Sequence, residues 1–209
     1  MKLFLASYRF GAHTSEFAAL TGGSGPVAVI ANATDSWPAA ARESALTSEL
    51  RGLRELGYEP EELDLRQFDG RPADLATRLD AVDAVWIRGG NTFVLRAQLR
   101  LGGADDAVVS RVREGRLVFA GYSAGACIAS PSLRGVEAAD DPSDVTDRKV
   151  MWDGLGLVDL AFVPHFGSIL DDAGAGPAMV DRFEREQVPY LTLTDEQVFV
   201  VDGERAERI

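Results

Sequence analysis

Ser123 stands in the string Gly121-Tyr122-Ser123-Ala124-Gly125, directly after the apolar run Leu117-Val118-Phe119-Ala120 and ahead of Ala126-Cys127-Ile128-Ala129. Gly-x-Ser-x-Gly between a strand and a helix is the pattern of a nucleophile elbow, whose sharp turn lifts the hydroxyl above the strand ends. Glycines flanking the serine let such a turn close where bulkier side chains would collide. The turn also leaves the N–H of Ala124 at a helix N-terminus, where it can stabilise an oxyanion. The chemistry implied is acyl transfer through a covalent serine intermediate. The same string could instead be a glycine-rich turn with an N-capping serine. Cys127, one helical turn on, reads as a small buried hydrophobe rather than a second nucleophile.

A serine hydroxyl needs a base to take its proton at neutral pH. The chain has two histidines, His13 after the first apolar run and His165 after Ala161-Phe162-Val163-Pro164. His165 is favoured, because it follows a strand end of the kind around which open α/β sheets gather their sites. Pro164 and Phe166 also restrict its position. The acid that would orient the imidazole is not fixed by sequence order. Asp140 and Asp141 lie in the loop beyond the nucleophile turn, and Asp195 and Glu196 lie in a later turn. A second glycine turn, Arg88-Gly89-Gly90-Asn91-Thr92, again joins a strand to a helix start, and Gly90 is a natural second oxyanion donor.

The elements that must position these residues follow from short apolar runs alternating with helical patterns. Leu3–Ala6, Val27–Ala31, Val82–Ile87 and Leu117–Ala120 predict strands covered on both faces. Ala39–Leu56, Phe93–Leu101 and a segment from Asp105 to near Gly115 predict helices between them. The alternation implies a single α/β domain over residues 1–209, a mostly parallel, doubly wound sheet with helices on both faces. Arg134–Lys149 predicts a long loop and Gly22-Gly23-Ser24-Gly25 a flexible one. Leu160–Val163 predicts a weak strand and Pro177–Gln187 a helix. Tyr190–Leu193 and Val198–Val201 predict a C-terminal antiparallel hairpin around Thr194-Asp195-Glu196-Gln197.

Composition narrows the partners. The 209 residues carry 33 acidic against 21 basic side chains, a net charge of −12, and no basic stripe, so no nucleic-acid partner is expected. No apolar stretch approaches the ~20 residues of a membrane span. The single cysteine permits no intramolecular disulfide, which suits a cytoplasmic protein. Two histidines and one cysteine far apart show no zinc-ligand spacing, and no Gly-x-x-x-x-Gly-Lys-Ser/Thr string occurs, so neither metal nor nucleotide cofactor is expected.

Taken in order, Arg88-Gly89-Gly90-Asn91-Thr92-Phe93, Gly121-Tyr122-Ser123-Ala124-Gly125-Ala126 and Pro164-His165-Phe166 resemble the peptidase E (aspartyl dipeptidase) family of serine peptidases, with cyanophycinases as more distant relatives. The resemblance implies a flavodoxin-like fold of the class I glutamine amidotransferase kind. It implies a metal-independent Ser–His–acid peptidase with Ser123 as nucleophile, His165 as base, and oxyanion donors at Gly90 and Ala124 within the Gly89-Gly90-Asn91 and nucleophile turns. The family's late acid falls on Asp195 or Glu196, ranked ahead of Asp140. A preference for N-terminal aspartate would call for an arginine clamp, for which Arg134 and Arg182 are the matches. Gly167-Ser168-Ile169-Leu170-Asp171-Asp172 departs from the family in being acidic, which opposes an aspartate side chain. The expected ligand is a small peptide and the expected state a monomer or homodimer. An esterase or amidase on the same turn, or a non-catalytic small-ligand binder, are the competing readings.

Overall fold

In the computed structural model, which describes residues 1–146, 148–171 and 174–209, the apolar runs become the inner strands of a seven-stranded sheet. The first five strands are β1 (Lys2–Ala6), β2 (Gly25–Ile30), β3 (Tyr58–Glu62), β4 (Ala84–Ile87) and β5 (Val118–Tyr122). They are followed by β6 (Ala161–Val163), β7 (Tyr190–Thr192), β8 (Val198–Asp202) and β9 (Arg205–Arg208). The large sheet has the order β3-β2-β4-β5-β1-β8-β9. Its first five members pair in parallel, while β8 runs antiparallel to both β1 and β9.

Side chains along a strand alternate between faces, and two cores result. Leu3 and Leu5 of β1, Ile30 of β2 and Phe119 of β5 face one side, with Phe4, Ala6, Val29 and Ala120 on the other. Helices α1 (Thr14–Thr21) and α2 (Ala39–Glu55) cover the second face through Phe17, Leu20 and Leu53. The first face is covered by α3 (Pro72–Leu79), α4 (Thr92–Leu101), α5 (Ala104–Arg113), the short α6 (Ala124–Cys127) and α7 (Ala175–Glu186). Burying each Leu or Phe of these faces contributes about 1.5–3 kcal/mol, so sheet and helices stabilise one another. Asn91 caps α4, its side-chain oxygen accepting from the N–H of Phe93 at 2.9 Å and of Val94 at 3.1 Å.

The doubly wound parallel sheet agrees with the sequence pattern, but the C-terminal hairpin forms from different strands. β7 pairs in parallel with β6 as a separate two-stranded sheet, and the antiparallel hairpin is β8 with β9. The turn between β7 and β8 therefore crosses from one sheet to the other. The edge strand β3 and helices α1 and α3 stand outside the elements expected from the sequence pattern, although α3 buries Leu75 and Leu79 along one face. In β3, exposed Glu59 and Glu61 alternate with buried Tyr58 and Pro60, and the proline is tolerated at the edge of the sheet. Arg134–Lys149 forms no helix longer than a 3-10 turn among its described residues, with turns at Val136–Ala138 and Pro142–Asp144.

Candidate active site

Ser123 joins β5 to α6 with φ 52° and ψ −114°, a positive-φ conformation that a non-glycine residue adopts only at a cost of about 1–3 kcal/mol. Its N–H donates to the Ala6 carbonyl at 3.1 Å, and its carbonyl accepts from the N–H groups of Ala126 and Cys127, both at 2.9 Å. The surrounding glycines leave no space for side chains. A Cβ on Gly125 would fall 2.3 Å from the Ile87 carbonyl oxygen, and one on Gly121 would fall 2.9 Å from the Gly125 carbonyl group. A Cβ on Gly90, where φ is 153°, would fall 2.5 Å from the Ala33 oxygen. These contacts bring the Gly89-Gly90 turn against the serine turn, so that a Cβ on Gly89 would sit 3.0 Å from the Ser123 Cβ. Gly90 and Ala124 line the same cleft as Ser123.

His165 follows Pro164 at the end of β6 with φ 58°. Its Nδ1 lies 2.6 Å from Asp195 Oδ1, and its main-chain N–H donates to Ser7 Oγ at 2.6 Å. Ser7, fully buried beyond the end of β1, donates in turn to Asp195 Oδ1 at 3.2 Å. Burial raises the Asp195 pKa, but hydrogen bonds from Ser168, His165 and Ser7 and the attraction of His165 outweigh it and hold the carboxyl below its ordinary range. Tyr8 packs edge-on against His165, ring centroids 6.3 Å apart. His165 and Ser123 line one cleft of about 580 Å³, although no hydrogen bond joins them among the described residues. Such bonds are often long until substrate arrives.

The remaining expected residues fall in different places. Glu196, the other acid of the late turn, has an exposed side chain, and among the described residues only its carbonyl makes a hydrogen bond, accepting from the Ala12 N–H at 3.1 Å. Asp140 lines the cleft but faces Thr92, accepting from its N–H at 2.8 Å and its hydroxyl at 2.5 Å. Burial, with the negative charge of Asp144 behind it, pushes the Asp140 carboxyl up despite those bonds and the pull of His165. Asn91 donates to the Asp141 carbonyl at 2.8 Å and to Asp144 Oδ2 at 3.1 Å, tying the acidic loop to the glycine turn. Arg134 and Arg182, expected as a clamp, lie outside the cleft: Arg134 stacks over Trp152 at 5.2 Å, and Arg182 pairs with Glu137 and Glu186. Asp171 lines the cleft, whereas Asp172 lies outside the described residues. His13 precedes α1, away from the cleft, and burial pushes the Cys127 thiol up, which keeps it protonated.

Ser7, Tyr8, Arg9 and Glu49 join this region without having been expected there, and Arg88, expected only as part of the glycine turn, lines the cleft. Glu49, 3% exposed, accepts from Tyr122 OH at 2.7 Å and Trp86 Nε1 at 2.9 Å, and lies 3.8 Å from Arg9 and 3.5 Å from Arg88. It braces the residue next to the serine from behind. Its signal was present, since Glu49 shares the buried stripe of α2 with Ala45 and Leu53 at four-residue spacing. Arg88 and Arg9 line the cleft, where Arg134 and Arg182 do not.

A model of peptidase family S51 matches residues 12–209. An uncharacterized peptidase of Listeria monocytogenes serovar 1/2a is 32% identical over 118 residues, 56% of either chain. Peptidase E of Streptomyces coelicolor is 35% identical over 141 residues, 64% of this chain and 54% of that one. The chain spans about half the length of the curated relatives it matches. A crystal structure from Listeria monocytogenes EGD-e, of a protein carrying the peptidase E designation, superimposes with a TM-score of 0.78 at 24% identity, covering 100% of this chain and 97% of that one. A peptidase from an acI-B1 actinobacterium shares the fold with a TM-score of 0.70 at 14% identity, covering 100% of this chain and 93% of the other. Among the described residues, no helix is long and apolar enough to cross a membrane.

Proposed function

The chain belongs to peptidase family S51, and from that premise we propose that it is a serine peptidase cleaving short peptides through an acyl-enzyme on Ser123. The observation that carries this reading is the meeting, in one cleft, of a strained serine on a strand–helix turn with the hydrogen-bonded pair His165–Asp195.

In this mechanism Ser123 Oγ attacks the peptide carbonyl carbon while His165 Nε2 takes the hydroxyl proton. Asp195 accepts from Nδ1–H, which fixes the tautomer that leaves Nε2 free, and it stabilises the imidazolium that forms. The N–H groups of Gly90 and Ala124 receive the oxyanion. His165 then hands its proton to the leaving amine as the C–N bond breaks. A water, deprotonated by the same imidazole, releases the acyl group and restores the serine.

The finer reading is a dipeptidase that accepts aspartate in the first position, acting in the cytoplasm, where the lone buried Cys127 suits a reducing compartment. Dipeptide hydrolysis by the purified chain tests it, with Asp-Leu, Asn-Leu and Ala-Leu compared by kcat/KM. Ser123→Ala and His165→Ala should each lower turnover by several orders of magnitude, and His13→Ala should not, because triad members act as a unit. Near wild-type turnover by Ser123→Ala would remove the serine mechanism. Equal rates on the three peptides would remove only the aspartate preference.

A further inference from the structure

Four arginine side chains among the described residues are 15% exposed or less, and they are not treated alike. Arg42 donates to Asp35 and Glu62, both at 2.8 Å; Arg96 to Asp105 at 3.0 Å and Asp153 at 2.7 Å; Arg111 to Asp80 at 2.8 Å. Arg88 has no carboxylate of its own. Its Nη1 donates to the Gly89 carbonyl at 2.6 Å, and its buried Nε has no acceptor. Glu49 lies 3.5 Å from that nitrogen, but its two oxygens already accept from Tyr122 and Trp86, and it also faces Arg9. One carboxylate thus offsets two guanidinium groups, leaving a net positive charge at this end of the cleft in a chain whose net charge is −12.

That charge is held in place at the wall of the cleft. The Arg88 guanidinium stacks over the Trp37 ring at 5.0 Å, and Trp37, Arg88 and Ser123 line one cleft. Gly89, the next residue, is the one whose Cβ would touch Ser123. Asp141, Asp144 and Asp171 line the acidic part of the cleft, so it carries both signs of charge. A peptide with a free ammonium group and a carboxylate has the same polarity. Nε faces Glu49, which leaves the Nη2 donors and the second Nη1 hydrogen for a ligand, and the end of a planar guanidinium matches a carboxylate with two parallel bonds, which a lysine cannot reproduce.

We propose that Arg88 is the specificity-determining residue of this cleft and binds a carboxylate of the substrate beside Ser123. The carboxylate is either the side chain of an N-terminal aspartate or the C-terminal group of a dipeptide. The proposal rests on the peptide reading of the substrate, though not on Ser123 being the nucleophile.

The test is calorimetric titration of Ser123→Ala protein with Asp-Leu, Asn-Leu and Asp-Leu amide, repeated with Arg88→Met and Arg88→Lys added. Binding is read without turnover, so a failed serine mechanism does not obscure the result. Asp-Leu should bind about 30-fold or more tightly than the peptide lacking the relevant carboxylate, and Arg88→Met should abolish that ratio. Loss of the preference over Asn-Leu assigns the aspartate side chain, and loss of the preference over Asp-Leu amide assigns the terminal carboxylate. Arg88→Lys keeps a positive charge beside Glu49 and with it the fold, and it should still lower the ratio by about tenfold, because the fork is gone. A ratio that survives in Arg88→Lys and Arg88→Met, or no carboxylate preference in the parent protein, overturns the proposal.

Discussion

Asp195 and Glu196 differ by one position in the chain and face different surroundings. Asp195 receives Ser7 and His165, while Glu196 points to solvent and offers only its carbonyl. The residues left the acid open among Asp140, Asp141, Asp195 and Glu196, and the family resemblance ranked this turn first without choosing within it, because a one-residue shift in a turn exchanges the inward and outward positions. Asp195→Asn should lower kcat/KM about 10⁴-fold through the wrong imidazole tautomer, as steady-state kinetics would show. A carboxyl held below its ordinary range adds stability that is present above its unfolded pKa and is lost as pH falls through the lower folded value. The stability gap between wild type and Asp195→Asn, read from urea midpoints, should therefore be open at pH 7 and close in strong acid. Ser123 was legible from its motif, but its strain was visible only in the φ angle. Replacing it with glycine should raise the unfolding free energy by about 1 kcal/mol, where alanine gives no such gain. Equal stability of the two variants would deny that the turn stores strain.

The strands and helices that carry the site were legible where apolar runs were continuous, as in β1, β2, β4 and β5. They were least legible where pairing depends on distant partners. Tyr190–Leu193 and Val198–Val201 flank a turn, the local pattern of a hairpin, yet β8 zips onto β1 along Lys2–Ala6 and β7 joins β6. That crossing brings Asp195, from the turn between them, to Ser7 at the end of β1 and to His165 at the end of β6. The elbow depends on the close approach of α6 to β4. Gly125→Ala places a Cβ against the Ile87 carbonyl and should cost about 2–3 kcal/mol, with loss of activity beyond that of a stability-matched core variant. Asp140 anchors the acidic loop to the start of α4 through Thr92. Its carboxyl is pushed up by burial, so folding is penalised as pH rises through the window above the unfolded value. Asp140→Asn, which keeps an acceptor for Thr92, should gain stability relative to wild type at pH 8 compared with pH 4 in urea titrations. A difference that does not change with pH would place the charge of Asp140 outside the folding balance.

At the scale of the whole molecule, the cleft gathers residues beyond the carboxyl ends of strands in both sheets: Tyr8 after β1, Arg88 after β4, Ser123 after β5 and His165 after β6. The fold class could be read early because alternating strand and helix patterns force parallel pairing. The arginines could not, since the side chain that reaches a cleft is set by packing, and Arg88 was hidden as the residue before a glycine turn. Because the site is shared among strands that zip together, it should not come apart before the sheet does. Loss of Ser123 reactivity and loss of far-UV dichroism in urea should coincide in one transition, and reactivity lost at clearly lower urea would show an independently melting site. The proposed chemistry makes Ser123 a nucleophile driven by His165. It is tested most directly by incubating the folded protein with a fluorophosphonate and locating the adduct by peptide mass spectrometry. A single adduct is expected on the peptide containing Ser123, absent in Ser123→Ala and slowed by several orders of magnitude in His165→Ala. An adduct on another residue, no adduct on folded protein, or an undiminished rate in His165→Ala would contradict it.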